Sequence, residues 1–164
     1  MLFSCSDAEK NLLSSCIGKK LNGIIGYKHP GIPAYRQILL QFADWAAILE
    51  LRAISIAPKF EVFVIQVNQS QPVGGQFGRD ELILSDFMIV EIDVMRRVEW
   101  IEGEESGSRV EVSVDAGLVL KGSNGIEIEF EADAFPLTFQ LRFIAGGSGG
   151  GERTSKRFIP IARS

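Results

Sequence analysis

Seven carboxylates, Glu91, Asp93, Glu111, Asp115, Glu127, Glu129 and Glu131, stand at alternating positions within three apolar runs. The pattern is plainest in GIEIEFEADAFPLTFQLRF, residues 125–143, where Ile126, Ile128 and Phe130 alternate with Glu127, Glu129 and Glu131. Carboxylates held close together can act as acid and base at a glycosidic bond, hold Mg²⁺, or attract a cationic partner. The first two uses need inward, partly desolvated acids in a cleft. Period-two alternation sorts apolar side chains to one side of a strand and charged ones to the other, so these acids point away from the core. The expectation is a partner-binding face made of all seven, with no catalytic residue, no metal site and no cofactor. A cation or polyamine site follows only if the sheet closes with its acidic face inside.

The remaining chemistry-bearing residues are sparse. His29, in YKHPGIP, is the single histidine, and Cys5 and Cys16 are too far apart for a C-x₂₋₄-C knuckle, so a zinc site is not expected. A loop histidine ahead of a proline reads as a surface residue, since acid-base work needs positioned partners. Ser148, in GGSGG, lacks the strand-to-helix setting of a nucleophile elbow, and GSGGG lacks the Gly-Lys-Ser/Thr that completes a phosphate loop. GGQ at 74–76 and GQFG at 75–78 have the bare shape of a release-factor loop and of a KH clamp. A strand precedes them and only Arg79 adds charge, so they read as a glycine loop.

The elements that must position these residues are mostly strands. CSDAEKNLLSSCIG reads as a short helix, with Ser6 or Asp7 as N-cap, Glu9 near the positive end, a stripe of Leu12, Leu13 and Cys16, and a stop at Gly18. KLNGIIGYK is a strand ended by HPGIP. Residues 35–56 fit either a hairpin turning near Asp44 or a helix burying Phe42, Trp45, Ala46, Leu49 and Ala53, and the short apolar ILLQF favours the hairpin. FEVFVIQV, 60–67, is a strand, and NQSQPVGGQFGRDE a loop. Residues 87–143 then read as consecutive antiparallel strands, wet on one side, with a β-bulge at MRR and a hairpin signal at GSNG. Residues 145–157 read as a flexible, basic, glycine-rich loop, and FIPIA as a last strand whose Pro160 suits an edge. The expected fold is mainly β, with α+β as the variant: an antiparallel sheet curled into a barrel or sandwich-like layer, with a short N-terminal helix.

A chain of 164 residues fits one globular domain, 1–164, and no apolar run approaches the roughly 20 residues of a membrane span. No secretory leader is visible in MLFSCSDAEK, and two lone cysteines fit reduced thiols, so the expected location is cytoplasmic. Net charge is −4 but uneven: +1 over residues 1–85, −9 over 86–133 and +4 over 134–164. The acidic middle argues against a nucleic-acid partner, whose phosphates need Lys and Arg.

The reading is a non-enzymatic interaction protein presenting its acidic sheet face to a basic protein partner, in the manner of an immunity protein or antitoxin. A small hydrophobic-ligand-binding β-barrel lined by Phe60, Phe63, Phe87, Phe130, Phe135 and Phe139 is the alternative. A third is a structural subunit, a homo-oligomer seated on FMIV, Trp100 and Ile101.

Overall fold

Ser6 opens helix α1 (Asp7–Cys16) through a capping box. Its hydroxyl accepts from the Glu9 amide at 3.3 Å, and the Glu9 carboxylate accepts from the Ser6 amide at 2.7 Å. The other Glu9 oxygen accepts from the Val67 amide at 3.2 Å, so the cap also fastens the helix to a strand. Leu13 and Cys16 are fully buried on the inner stripe, and the chain turns out of the helix at Gly18, φ +83°.

The computed structural model describes residues 1–28, 31–32, 34–57, 60–70, 78–102, 108–133, 138–145 and 156–163. Among them the strands are β1 (Leu2–Phe3), β2 (Lys20–Lys28), β3 (Tyr35–Gln41), β4 (Ala46–Ala57), β5 (Phe60–Ser70), β6 (Arg79–Glu102), β7 (Arg109–Gly122), β8 (Ile126–Asp133), β9 (Thr138–Ala145) and β10 (Lys156–Pro160). The 35–56 segment is the hairpin β3–β4, turned by a Phe42 amide that donates to the Trp45 carbonyl at 2.9 Å beneath their stacked rings. Strand β6 starts at Arg79, eight residues before the expected start at 87, because β2 pairs with its first half from Arg79 to Met88. Likewise β9 runs to Ala145 and β10 begins at Lys156, so the connection read as 145–157 is shorter.

The strands form one sheet in the order β1-β7-β8-β9-β3-β2-β6-β10, and pairing of β6 with β7 bends this path into a partial ring. Closure at the far side is slight: β3 meets β9 through the single pair Tyr35 and Phe139. β1 joins β7 in parallel and every other pairing is antiparallel. The β4–β5 hairpin extends from β3 and packs β5 against α1 and β7. Inside lie Leu21, Ile38, Leu40, Leu49, Ile65 and Phe87, with Ile92, Val94, Leu118, Leu120, Ile128 and Phe130 from the β6–β8 strands. A smaller cluster joins Val62 and Val64 to Ile101, Val112 and Val114. The mainly β fold with one short N-terminal helix is therefore what the chain adopts.

The bulge expected at MRR is present between Met95 and Arg96, and it decides the site. Met95 pairs with Gly117 and Arg96 with Asp115, which leaves Ala116 as the extra residue on β7. Gly117 also lets β8 approach: a Cβ there would lie 2.3 Å from the Phe130 carbonyl oxygen.

Candidate functional site

Cross-strand partners share a face, so the register sorts the seven carboxylates. One row runs Glu91, Lys121, Glu127 and Ile144; the next runs Asp93, Val119, Glu129 and Arg142; the third runs Met95, Gly117, Glu131 and Gln140. Five of the acids, Glu91, Asp93, Glu127, Glu129 and Glu131, therefore share the side of the sheet opposite Ile92, Leu118, Leu120 and Phe130. Cations interleave with them. Lys121 lies 2.9 Å from Asp93 and also binds Glu91, while Glu131 takes Lys156 at 2.6 Å and Arg142 at 3.3 Å. The Arg142 contact is an ion pair without hydrogen-bond alignment. Burial opposes the charge on Lys121, but the hydrogen bonds to Glu91 and Asp93 outweigh it and hold the ammonium above the usual lysine range. Glu127 and Glu129 have no ion-pair partner among the described residues.

Two expectations are corrected here. The face is not simply wet, because Asp93 and Glu129 are only 6% and 7% exposed and Met95 and Val119 are buried beside them. Nor do all seven acids share it. Strict alternation would put Asp115 on the side of Gly117, but the extra residue Ala116 turns it to the inner side with Arg96. Asp115 is 1% exposed; it accepts from Arg96 Nε at 2.7 Å and from the Cys5 amide at 2.9 Å. Glu111 sits toward the other end of β7, opposite exposed Trp100, its side chain exposed and its carbonyl accepting from the Met1 ammonium at 2.7 Å.

The inward turn of Asp115 and Arg96 creates a feature that the alternation argument missed. A cleft of about 430 Å³ opens between α1, β6 and the C-terminal residues 159–163. Val94 and the run from Ile159 to Ala162 give it apolar walls, and among the described residues Lys10, Arg96 and Arg163 give it three cations against the single carboxylate of Asp115. The Ser14 hydroxyl donates to the Ala162 carbonyl at 2.7 Å, and the Ile161 amide to the Ile92 carbonyl at 2.8 Å, so both walls are fastened. Arg163 lies over Gly18, where a Cβ would come within 2.9 Å of its guanidinium. The one sequence signal for this site is the slip at MRR. Lys10 and Arg163 gave none, because one reads as a helix surface residue and the other as tail.

The thiols offer no nucleophile at neutral pH. Burial, then the nearby charges of Asp115 and Glu9, push Cys5 up to about 12, and burial alone takes Cys16 to about 12. Among the described residues no group of His, Cys, Asp and Glu is placed to hold a metal ion. His29, Ser148 and the GGQ tripeptide lie outside the described residues. Phe87, Phe130 and Phe139 are packed in the main core, Phe63 is half-buried, and the side chains of Phe60 and Phe135 lie outside the described set. In FMIV, Phe87 and Ile89 are buried while Met88 and Val90 are half-exposed; Ile101 is buried and Trp100 exposed. Among the described residues no helix is long and apolar enough to cross a membrane.

No family model, curated protein or solved structure matches the chain.

Proposed function

We propose that this chain is a non-enzymatic binding protein that takes a small ligand in the cleft between α1, β6 and residues 159–163. The observation that carries the reading is the Arg96–Asp115 pair at the cleft. A buried carboxylate engages one edge of the guanidinium, and Arg96 Nη1 and Nη2 have no hydrogen-bond partner among the described residues. An arginine held this way has lost its rotamer freedom before a ligand arrives, which lowers the cost of binding. The volume is in the range of about 300–1,000 Å³ usual for ligand pockets. This moves the hydrophobic-ligand alternative from the phenylalanine core to an amphipathic cleft. The test is a screen of a mixed library of neutral, cationic and anionic fragments against the ¹⁵N-labelled chain. Saturable shifts of the Asn11, Ser14, Ala162 and Arg163 amides support the reading, and a library that leaves them all unmoved sinks it.

A second reading retains a basic protein partner for the β6–β8 face, in a cytoplasmic, immunity- or antitoxin-like role. Glu127 favours it, as a part-exposed carboxylate without an ion-pair partner among the described residues on a patch where acids outnumber cations. Its test is the variant Glu127→Gln. A basic partner that the parent protein holds at low salt must be lost by the variant; equal retention removes this surface from consideration.

A further inference from the structure

We infer that the ligand of the α1–β6 cleft is a small organic anion, one carboxylate or phosphate group on an apolar body. The inference rests on the cleft being a ligand site at all, as proposed above. Charge sets the class. Lys10, Arg96 and Arg163 line the cleft, and Asp115, the one acid among its described lining residues, is engaged by Arg96 Nε. Asp115 is 1% exposed and both its oxygens are engaged, one by Arg96 Nε and the other by the Cys5 amide. Guanidinium has five N–H donors in a fixed fork; Nε serves Asp115, and the Nη donors have no partner among the described residues.

That geometry suits an oxyanion, which accepts two parallel charge-assisted hydrogen bonds from one arginine. Lys10 is held only loosely elsewhere, by Asp7 at 3.7 Å, whose side chain is 98% exposed, and so remains available to the same oxyanion. Arg163 has no ion-pair partner among the described residues. The rest of the ligand is set by the walls: Val94, Ile159, Pro160, Ile161 and Ala162 offer hydrocarbon and no charge. A bare inorganic ion would leave them uncovered, whereas a ring or short alkyl chain would cover them. Cationic ligands are disfavoured by the three like charges, and neutral ones leave the guanidinium donors unpaired in a partly dry site.

The probes are phenyl phosphate, benzoate, inorganic phosphate, benzyl alcohol and phenethylamine, each titrated into the full ¹⁵N-labelled chain, with the amides of Asn11, Ser14, Ala162 and Arg163 and the Arg96 Nε–H followed. Phenyl phosphate or benzoate is expected to saturate these signals, inorganic phosphate to compete at least tenfold more weakly, and phenethylamine to leave them unmoved. The two anions distinguish a phosphate from a carboxylate ligand. Lys10→Gln/Arg163→Gln, which leaves the buried Arg96–Asp115 pair intact, is expected to weaken the better anion at least tenfold with an unchanged melting temperature. Anion affinity unaffected by that variant, or absence of saturable shifts with either organic anion, overturns the inference. Binding of benzyl alcohol or phenethylamine in place of the anions overturns it too, while leaving the cleft reading standing.

Discussion

Replacing Arg96 with methionine leaves the Asp115 carboxylate buried with only the Cys5 amide for company. Asp115 is 1% exposed, and the aliphatic stem of methionine fills much of the guanidinium's space without supplying charge. Removing one partner of a buried ion pair costs about 3–5 kcal/mol, against a total folding free energy of about 5–15 kcal/mol. Arg96→Met should therefore lower the urea midpoint severely. Asp115→Asn should cost less, about 1–3 kcal/mol, because Asn still accepts from Cys5 and the stranded guanidinium, on a side chain 20% exposed, reaches water. The double variant carries no unpaired buried charge, so its cost should fall below the sum of the single costs by at least about 2 kcal/mol. The assay is equilibrium urea unfolding followed by tryptophan fluorescence and circular dichroism, with all four proteins at one pH and salt. Additivity to within about 0.5 kcal/mol would refute the reasoning, because it would mean that Arg96 and Asp115 do not feel each other and that the bulge has not turned them together.

Other consequences are as direct. Gly117→Ala should destabilise by about 1–3 kcal/mol, since the new Cβ meets the Phe130 carbonyl at 2.3 Å; a neutral result would mean that β7 and β8 do not approach as described. Ser6→Ala should cost about 1 kcal/mol by removing the acceptor for the Glu9 amide, and an unchanged denaturation midpoint would count against the capping box. Lys121→Met should cost about 1–2 kcal/mol at neutral pH, because Asp93 loses its cation. The raised Lys121 pKa makes that contribution complete below the ordinary 10.5 and lost as pH climbs past the folded value, so parent and variant should converge only above that range. Cys5 and Cys16 act in the same sense: their benefit is complete below 9.0 and disappears between 9.0 and about 12 as the unfolded chain releases thiol protons first. Cys16→Ala should reduce the alkaline slope of stability by up to about 1.4 kcal/mol per pH unit, and an unchanged slope would mean that the thiol is not held neutral.

Local patterns carried most of the fold. The Ser6 to Glu9 spacing marks the helix start, since a capping box needs only those two side chains and the intervening turn. The β7, β8 and β9 strands and the GSNG turn were legible because one face of each strand had to be apolar. The slip at MRR was legible too, as a break in alternation, but its effect was not. A bulge places the extra residue on one strand of a pair, and only the pairing shows that it is Ala116 on β7. Asp115 looked like a member of the carboxylate row, and the register made it the inner partner of Arg96. The early start of β6 was hidden for a related reason, because RDELILSD is half polar and becomes a strand through β2, which lies more than fifty residues earlier in the chain.

By itself the amino-acid sequence determined a mainly β chain with a capped N-terminal helix, alternating faces from 109 to 131, and a concentration of acids in its middle. These follow from periodicity and from contacts a few residues apart. Tertiary structure alone decided that Lys121, Arg142 and Lys156 would stand among those acids, that the sheet would bend into a partial ring, and that Lys10, Arg96 and Arg163 would line one cleft. Those three cations come from the two ends and the middle of the chain. Their shared position depends on strand register and helix docking, which no local window contains.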